Sequence, residues 1–208
     1  MKAVYNVDLR NYYSSVKNQG ACGNCYAMST VENVNIQNII NAKNVPALSY
    51  QQLTDCSKGY YNNNGCNGGW LYESLNFIQV YGLYSESTYP QSLNTFQNNV
   101  AGTCKSYNSQ KYTIKGWYYF LDYSCMSRVN VLHARTSISI AVAGGSFPFQ
   151  YYHSGILSGC GNYPYVDHAV VLMGISLNTG MGNYWVIKNS WGTGWGEGGY
   201  IRINPTND

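Results

Sequence analysis

The sequence predicts an α+β protein with helices filling its first half and strands its second. Three observations carry this expectation. Apolar residues recur at helical spacing over residues 25–42. From about residue 111 the apolar runs become short, aromatic and β-branched. Gly-rich turns separate those later runs. Taken in order, residues 1–24 read as an extended arm and loop ending at Gly20 and Gly23. Residues 25–42 form a helix on Ala27, Met28, Val31, Val34 and Ile39, with Asn24 able to cap it and Pro46 beyond its end. Two further helices are expected at 50–54 and 70–81, separated by the loop 60–69, and Gly82 and Pro90 close the helical part. Tyr112–Phe120 reads as strand-prone and Ser127–Ala134 as a short helix. Ile138–Val142, Ala169–Ile175, Tyr184–Lys188 and Tyr200–Ile203 read as strands. The division implies a helical lobe over about 13–110 and a β lobe over about 111–208 joined by the N-terminal arm. Ligand sites tend to form in a cleft between such lobes.

Composition narrows the function. The 208 residues are enough for one domain, and 45% hydrophobic residues supply a sizeable core. Charged residues make up only 10% and aromatics 15%, with 22 Tyr, so disorder is excluded. The net charge of +3 comes without a basic run, which argues against a nucleic-acid partner. No apolar stretch approaches the roughly 18 residues needed to span a bilayer. No charged, apolar leader opens the chain, so a secretory signal is expected to lie outside it.

The chain has seven cysteines: Cys22, Cys25, Cys56, Cys66, Cys104, Cys125 and Cys160. In an oxidising compartment an odd number reads as three bridges and one free thiol. Cys22 and Cys25 form a CxxC pair, which also raises a zinc site or a redox centre. No second close cysteine pair and no HxxxH accompany it, so no metal is expected. A polar loop, not a buried strand, precedes it, so thioredoxin-like chemistry is disfavoured.

The chemistry is carried by four motifs. Gln19-Gly20 precedes Cys22-Gly23-Asn24-Cys25-Tyr26, with Val16-Lys17-Asn18 leading into it. Gly65-Cys66-Asn67-Gly68-Gly69 follows. Val166-Asp167-His168-Ala169-Val170 places His168 143 residues after Cys25. Lys188-Asn189-Ser190-Trp191-Gly192 places Asn189 164 residues after it and runs into Trp195-Gly196-Glu197. A cysteine in such a setting followed at this distance by His and Asn is a candidate nucleophile. On these motifs, over about residues 7–204, the chain resembles the papain-like cysteine proteases, the family of papain and cathepsin L.

The resemblance implies a two-lobe fold, with a helical lobe, a β-barrel-like lobe and the active site in the cleft between them. It implies a cysteine endopeptidase acting through a thioester acyl-enzyme, with Cys25, His168 and Asn189 catalytic. Physical chemistry agrees on the roles. A free thiol has a pKa near 8.5, and a helix N-terminus and an imidazolium both favour the thiolate. The thiolate in turn is expected to raise the His168 pKa above about 6.5. Asn189 would orient the imidazole. The Gln19 side chain and the Cys25 backbone N–H would face the oxyanion. Gly68 and Gly69 match the edge that binds the substrate backbone. Trp70, Leu71, Ala141 and Val166 match the wall of a subsite for a bulky apolar residue two positions before the cut. Asp167 matches a residue whose backbone faces substrate, and Trp191 one that shields the Asn–His hydrogen bond.

The resemblance further pairs Cys22 with Cys66 and Cys56 with Cys104. The usual partner of Cys160 lies beyond the last strand and is missing here, along with the floor of the subsite, so elimination pairs Cys160 with Cys125. Only 37 residues lie between Cys66 and Cys104, without a His-rich insertion, which favours endopeptidase over dipeptide-removing action. Protein or peptide substrates, an inhibitory pro-segment, cystatin-like inhibitors, a monomeric state and a lysosome- or vacuole-like or secreted location are also implied. No cofactor is. Two residues depart from the pattern: Asn24 stands where Ser or Ala is usual, and Tyr26 where Trp is commoner. His133 and His153 match no motif and read as structural or surface groups. A glycan-binding module on the same fold and a thiol–disulfide oxidoreductase using Cys22 and Cys25 are the alternatives.

Overall fold

A computed structural model describes residues 4–12, 15–59, 62–120, 125–159 and 161–205. Two compact units divide the chain, one of Asn18–Tyr119 and one of Met1–Lys17 with Phe120–Asp208.

In the first unit the apolar periodicity becomes helix α1, Cys25–Ile40, followed by α2, Tyr50–Cys56, and α3, Leu71–Tyr81. Met28, Val31 and Val34 of α1 pack with Leu53 of α2 and Phe77 and Ile78 of α3 in one buried cluster. Burial of each such side chain stabilises by about 1.5–3 kcal/mol. Ser49 caps α2, its Oγ accepting from Gln52 N at 2.9 Å. Asn24 holds the cap position of α1, yet its side chain makes no capping bond. It donates instead through Nδ2 to Thr54 Oγ1 at 3.0 Å, so the expected cap is corrected. A fourth helix, α4, Leu93–Asn98, lies beyond the point where the sequence reading ended the helical part. It buries only Thr95 and is too short to show a period.

Tyr112–Phe120 is not a strand. Tyr112 alone pairs, in an isolated bridge with Leu83, and Tyr118 is 92% exposed. High β-propensity forms no ladder where no second strand edge lies alongside. Two disulfides, Cys22–Cys66 and Cys56–Cys104, cross-link this unit. The first brings residue 23 into a bridge with Asn67, and a Cβ on Gly23 would lie 2.4 Å from Cys66 O. Only glycine allows that approach. The Cys125–Cys160 pair falls outside the described residues, because Cys160 is not among them.

The second unit starts with β1, Tyr5–Asp8, and continues after residue 120 with helix α5, Cys125–His133. Then come β2, Ile138–Val142, the short helix α6, Phe147–Gln150, and β3, Ile156–Leu157. It closes with β4, His168–Leu177, β5, Tyr184–Lys188, and β6, Tyr200–Ile203. Strand β4 is the spine of a six-stranded sheet in the order β1-β4-β5-β6-β3, with β2 also on β4. One edge of β4 is shared: β2 pairs with its first half and β1 with its second, both antiparallel. The other edge pairs with β5. Nine of its ten residues are buried, which suits its nearly unbroken apolar run. The register sets Val142 opposite His168, the first residue of β4. The molecule is thus of the α+β class.

Candidate active site

The sequence-predicted site residues fall into two groups, one on each unit. In the unit of α1, Cys25 is the first residue of the helix, half-buried and not part of a disulfide. The first turn of a helix carries partial positive charge from its open N–H groups, which favours the thiolate there. Gln19 is buried, and its Nε2 donates to Cys22 O at 2.8 Å, which orients the carboxamide beside the Cys22–Cys66 bridge. The bridge also ties in the loop bearing Gly68 and Gly69. At Gly69 an added Cβ would lie 2.4 Å from Asn63 Oδ1 and 2.9 Å from the Tyr26 ring, so no side chain fits. Asn63 Oδ1 accepts from Trp70 N at 2.8 Å, and the Trp70 side chain is left 57% exposed. Leu71 opens α3 and is half-buried.

In the other unit His168 is buried at the start of β4, and Asn189 follows directly on β5. His168 Nε2 and Asn189 Oδ1 are 2.7 Å apart. Asn189 Oδ1 also accepts from Ser190 N at 2.8 Å, which fixes the amide orientation. Since Oδ1 only accepts, Nε2 carries the proton and Nδ1 is the nitrogen left for chemistry. Trp191 stacks on the imidazole, centroids 4.8 Å apart at 29°. Phe149 of α6 meets the Trp191 ring edge-on at 5.5 Å and the imidazole at 6.0 Å. The sequence reading missed Phe149, because nothing in the aromatic run 147–152 marks which ring turns inward.

Burial holds the His168 pKa below the ordinary imidazole value, outweighing the Asn189 hydrogen bond and the Asp167 charge, which raise it. The rise expected from a Cys25 thiolate would act against this burial. The aromatic cage that dries the hydrogen bond also strips water from the imidazolium. Asp167 Oδ1 accepts from Gly145 N at 3.1 Å, and Tyr163 OH donates to its Oδ2. Val166 is 68% exposed and Ala141 lies exposed on β2. His153 is exposed. Among the described residues no group of His, Cys, Asp or Glu is arranged to hold a metal ion.

Comparison with known proteins decides the family. The profile described as "Papain family cysteine protease" matches residues 4–208. The chain belongs to the papain family of cysteine proteases. Cathepsin L 1 of Paramecium tetraurelia is 38% identical over 191 residues, which are 92% of this chain and 55% of that protein. Cysteine proteinase COT44 of Brassica napus is 39% identical over 196 residues, 91% of this chain and 56% of that protein. The chain thus spans about half the length of the curated relatives it matches. Among solved papain-family structures, the bromelain protease from Ananas comosus in complex with the E64 inhibitor matches with a TM-score of 0.79 at 34% identity. That match covers 96% of this chain and 89% of bromelain. Digestive procathepsin L 3 of Tenebrio molitor larval midgut matches with a TM-score of 0.84 at 32% identity, over 98% of this chain and 65% of that one.

Proposed function

We propose that the protein is a cysteine endopeptidase whose two units form one peptidase domain, with Cys25 as nucleophile and His168 as its acid–base partner. The observation that carries the reading is the His168–Asn189 hydrogen bond under Trp191. It leaves the imidazole Nδ1 for a thiol, and Cys25 lies outside both described disulfides. The Cys25 thiolate attacks the substrate carbonyl carbon, and the oxygen that becomes negative accepts from Gln19 Nε2 and Cys25 N. Collapse breaks the C–N bond, and the leaving nitrogen takes the proton from His168 Nδ1. Water, deprotonated by the now neutral His168, then hydrolyses the thioester, releasing the acid and restoring the Cys25 thiolate beside the protonated His168. Because burial lowers the His168 pKa, the ion pair depends on the thiolate charge to hold the imidazolium.

The substrate backbone would run along Gly68 and Gly69 and past Asp167. The exposed apolar surface of Trp70 and Val166, with Leu71 and Ala141, would take a bulky apolar residue two positions before the cut. The procathepsin and E64 structures among the relatives support control by a pro-segment and binding of an active-site inhibitor; cystatin-like proteins would bind the same cleft. The two disulfides suit an oxidising compartment, lysosomal or extracellular, and a monomer suffices for this chemistry. An oxidoreductase using Cys22 and Cys25 is disfavoured, because Cys22 is bridged to Cys66.

Labelling with E64 followed by peptide mass mapping tests the reading. One equivalent on Cys25, blocked in Cys25→Ala together with all peptide hydrolysis, is expected. Turnover retained by purified Cys25→Ala would overturn it. Peptides that vary only in the residue two before the cut should rank Leu or Phe above Gly and Lys in kcat/KM.

A further inference from the structure

The residue just before the nucleophile carries a feature that its neighbours do not require. Asn24 is 1% exposed and Thr54 is fully buried. The Thr54 hydroxyl donates its single proton to Tyr50 O at 2.8 Å, so towards Asn24 it can only accept. That fixes the Asn24 amide with Nδ2 on Thr54 Oγ1, at 3.0 Å. Oδ1 is then left buried with no hydrogen-bond partner. An unpaired buried acceptor costs about 1–3 kcal/mol. A small side chain at 24 would avoid that cost, and the helix start does not use Asn24 as a cap. A cost borne beside a reactive group points to a role for the bond that causes it.

We infer that Asn24 is a positioning residue for Cys25, hooking the start of α1 onto α2 through Thr54. The surrounding loop is held elsewhere. Gln19 reaches Cys22 O, Cys22 is bridged to Cys66, and Gly23 N donates to Cys66 O at 2.9 Å. These ties act before residue 24. The backbone carbonyl of Asn24 accepts from Ala27 N and Met28 N at 2.9 and 3.0 Å, which ties it only into its own helix. The Asn24–Thr54 bond therefore anchors the first turn of α1 to a different helix. Loss of the hook lets that turn fray and weakens the positive end that favours the thiolate. The inference rests on the reading of Cys25 as nucleophile for its catalytic meaning, but it is a statement about the thiol and is tested on the thiol.

The experiment is the rate of iodoacetamide alkylation at Cys25, read on its own peptide by mass spectrometry, from pH 4 to 9. It is run at a temperature where all variants give the same circular dichroism. Asn24→Ala and Thr54→Val should each slow alkylation near pH 6 by about two- to fivefold and move the midpoint of the profile to higher pH. Thr54→Ser, which keeps the acceptor, should behave as the parent. Unchanged rates in both hook variants overturn the inference. So does a loss in Asn24→Ala alone, since that effect would be local to residue 24. If Thr54→Val does not fold, Asn24→Ser decides, being too short to reach Thr54, and an unchanged rate there also overturns it. Failure of the peptidase reading would show as absent hydrolysis with the alkylation pattern intact.

Discussion

A buried imidazole loses more hydration when charged than when neutral, and at His168 this outweighs Asn189 and Asp167. Its folded pKa is depressed, so its contribution to stability is present above the unfolded value of about 6.5 and is lost as pH falls through the folded value. In Cys25→Ala, which lacks the thiolate, His168 should titrate below about 6.5 and the protein should lose stability on acidification below that pH. NMR titration of the assigned His168 ring protons beside denaturant unfolding at pH 7 and 5 checks both. A His168 midpoint at or above the ordinary value in that variant would show that burial does not control it. Gln19 is already oriented by Cys22 O, so its loss should fall on the transition state. Gln19→Ala should lower kcat by roughly 10²–10³ with little change in KM. An effect confined to KM would make Gln19 a binding residue only.

The helices differ in how they are held, and α2 starts on one buried serine. Ser49 accepts from Gln52 N at 2.9 Å and donates to Tyr89 O at 2.6 Å while 1% exposed. Ser49→Ala removes a cap and orphans a buried carbonyl, so about 1–2 kcal/mol should be lost. Urea unfolding should show a lower midpoint at an unchanged slope, and a loss under about 0.3 kcal/mol would contradict this account. The same scale shows what could be read from the chain. β5 and β6 occupy Tyr184–Lys188 and Tyr200–Ile203, the spans expected from their apolar runs and Gly boundaries. α4 and α6 went unread because six and four residues are too few to show a helical period, and β3 because it is only two residues long. Tyr112–Phe120 misled, since aromatic β-propensity records a liking for a sheet and not the presence of a partner strand.

Both described disulfides lie in the unit Asn18–Tyr119, closing loops of 44 and 48 residues. Chain-entropy arguments make each worth about 4 kcal/mol through the unfolded state. Reduction should therefore open that unit first. Hydrogen exchange after mild reduction should rise across α1–α3 while amides of β4 and β5 keep their protection, because those strands are held by their ladder and the buried run of β4. Simultaneous loss of protection in β4 would show instead that the two units unfold as one.

Periodicity, turn residues and motif spacing are local properties, so they were visible in the chain. They marked the helix that starts at Cys25, the four longer strand runs from residue 138 onward, and Cys25, His168 and Asn189 as candidates. Tertiary structure decided what depends on neighbours distant in sequence. Thr54, thirty positions on, draws the Asn24 side chain away from the helix end it was expected to cap. Phe149 and Trp191 bury the imidazole and turn its pKa downward. Hydrogen-bond partners and desolvation are set by atoms that meet only on folding, and no spacing along the chain encodes which atoms those are.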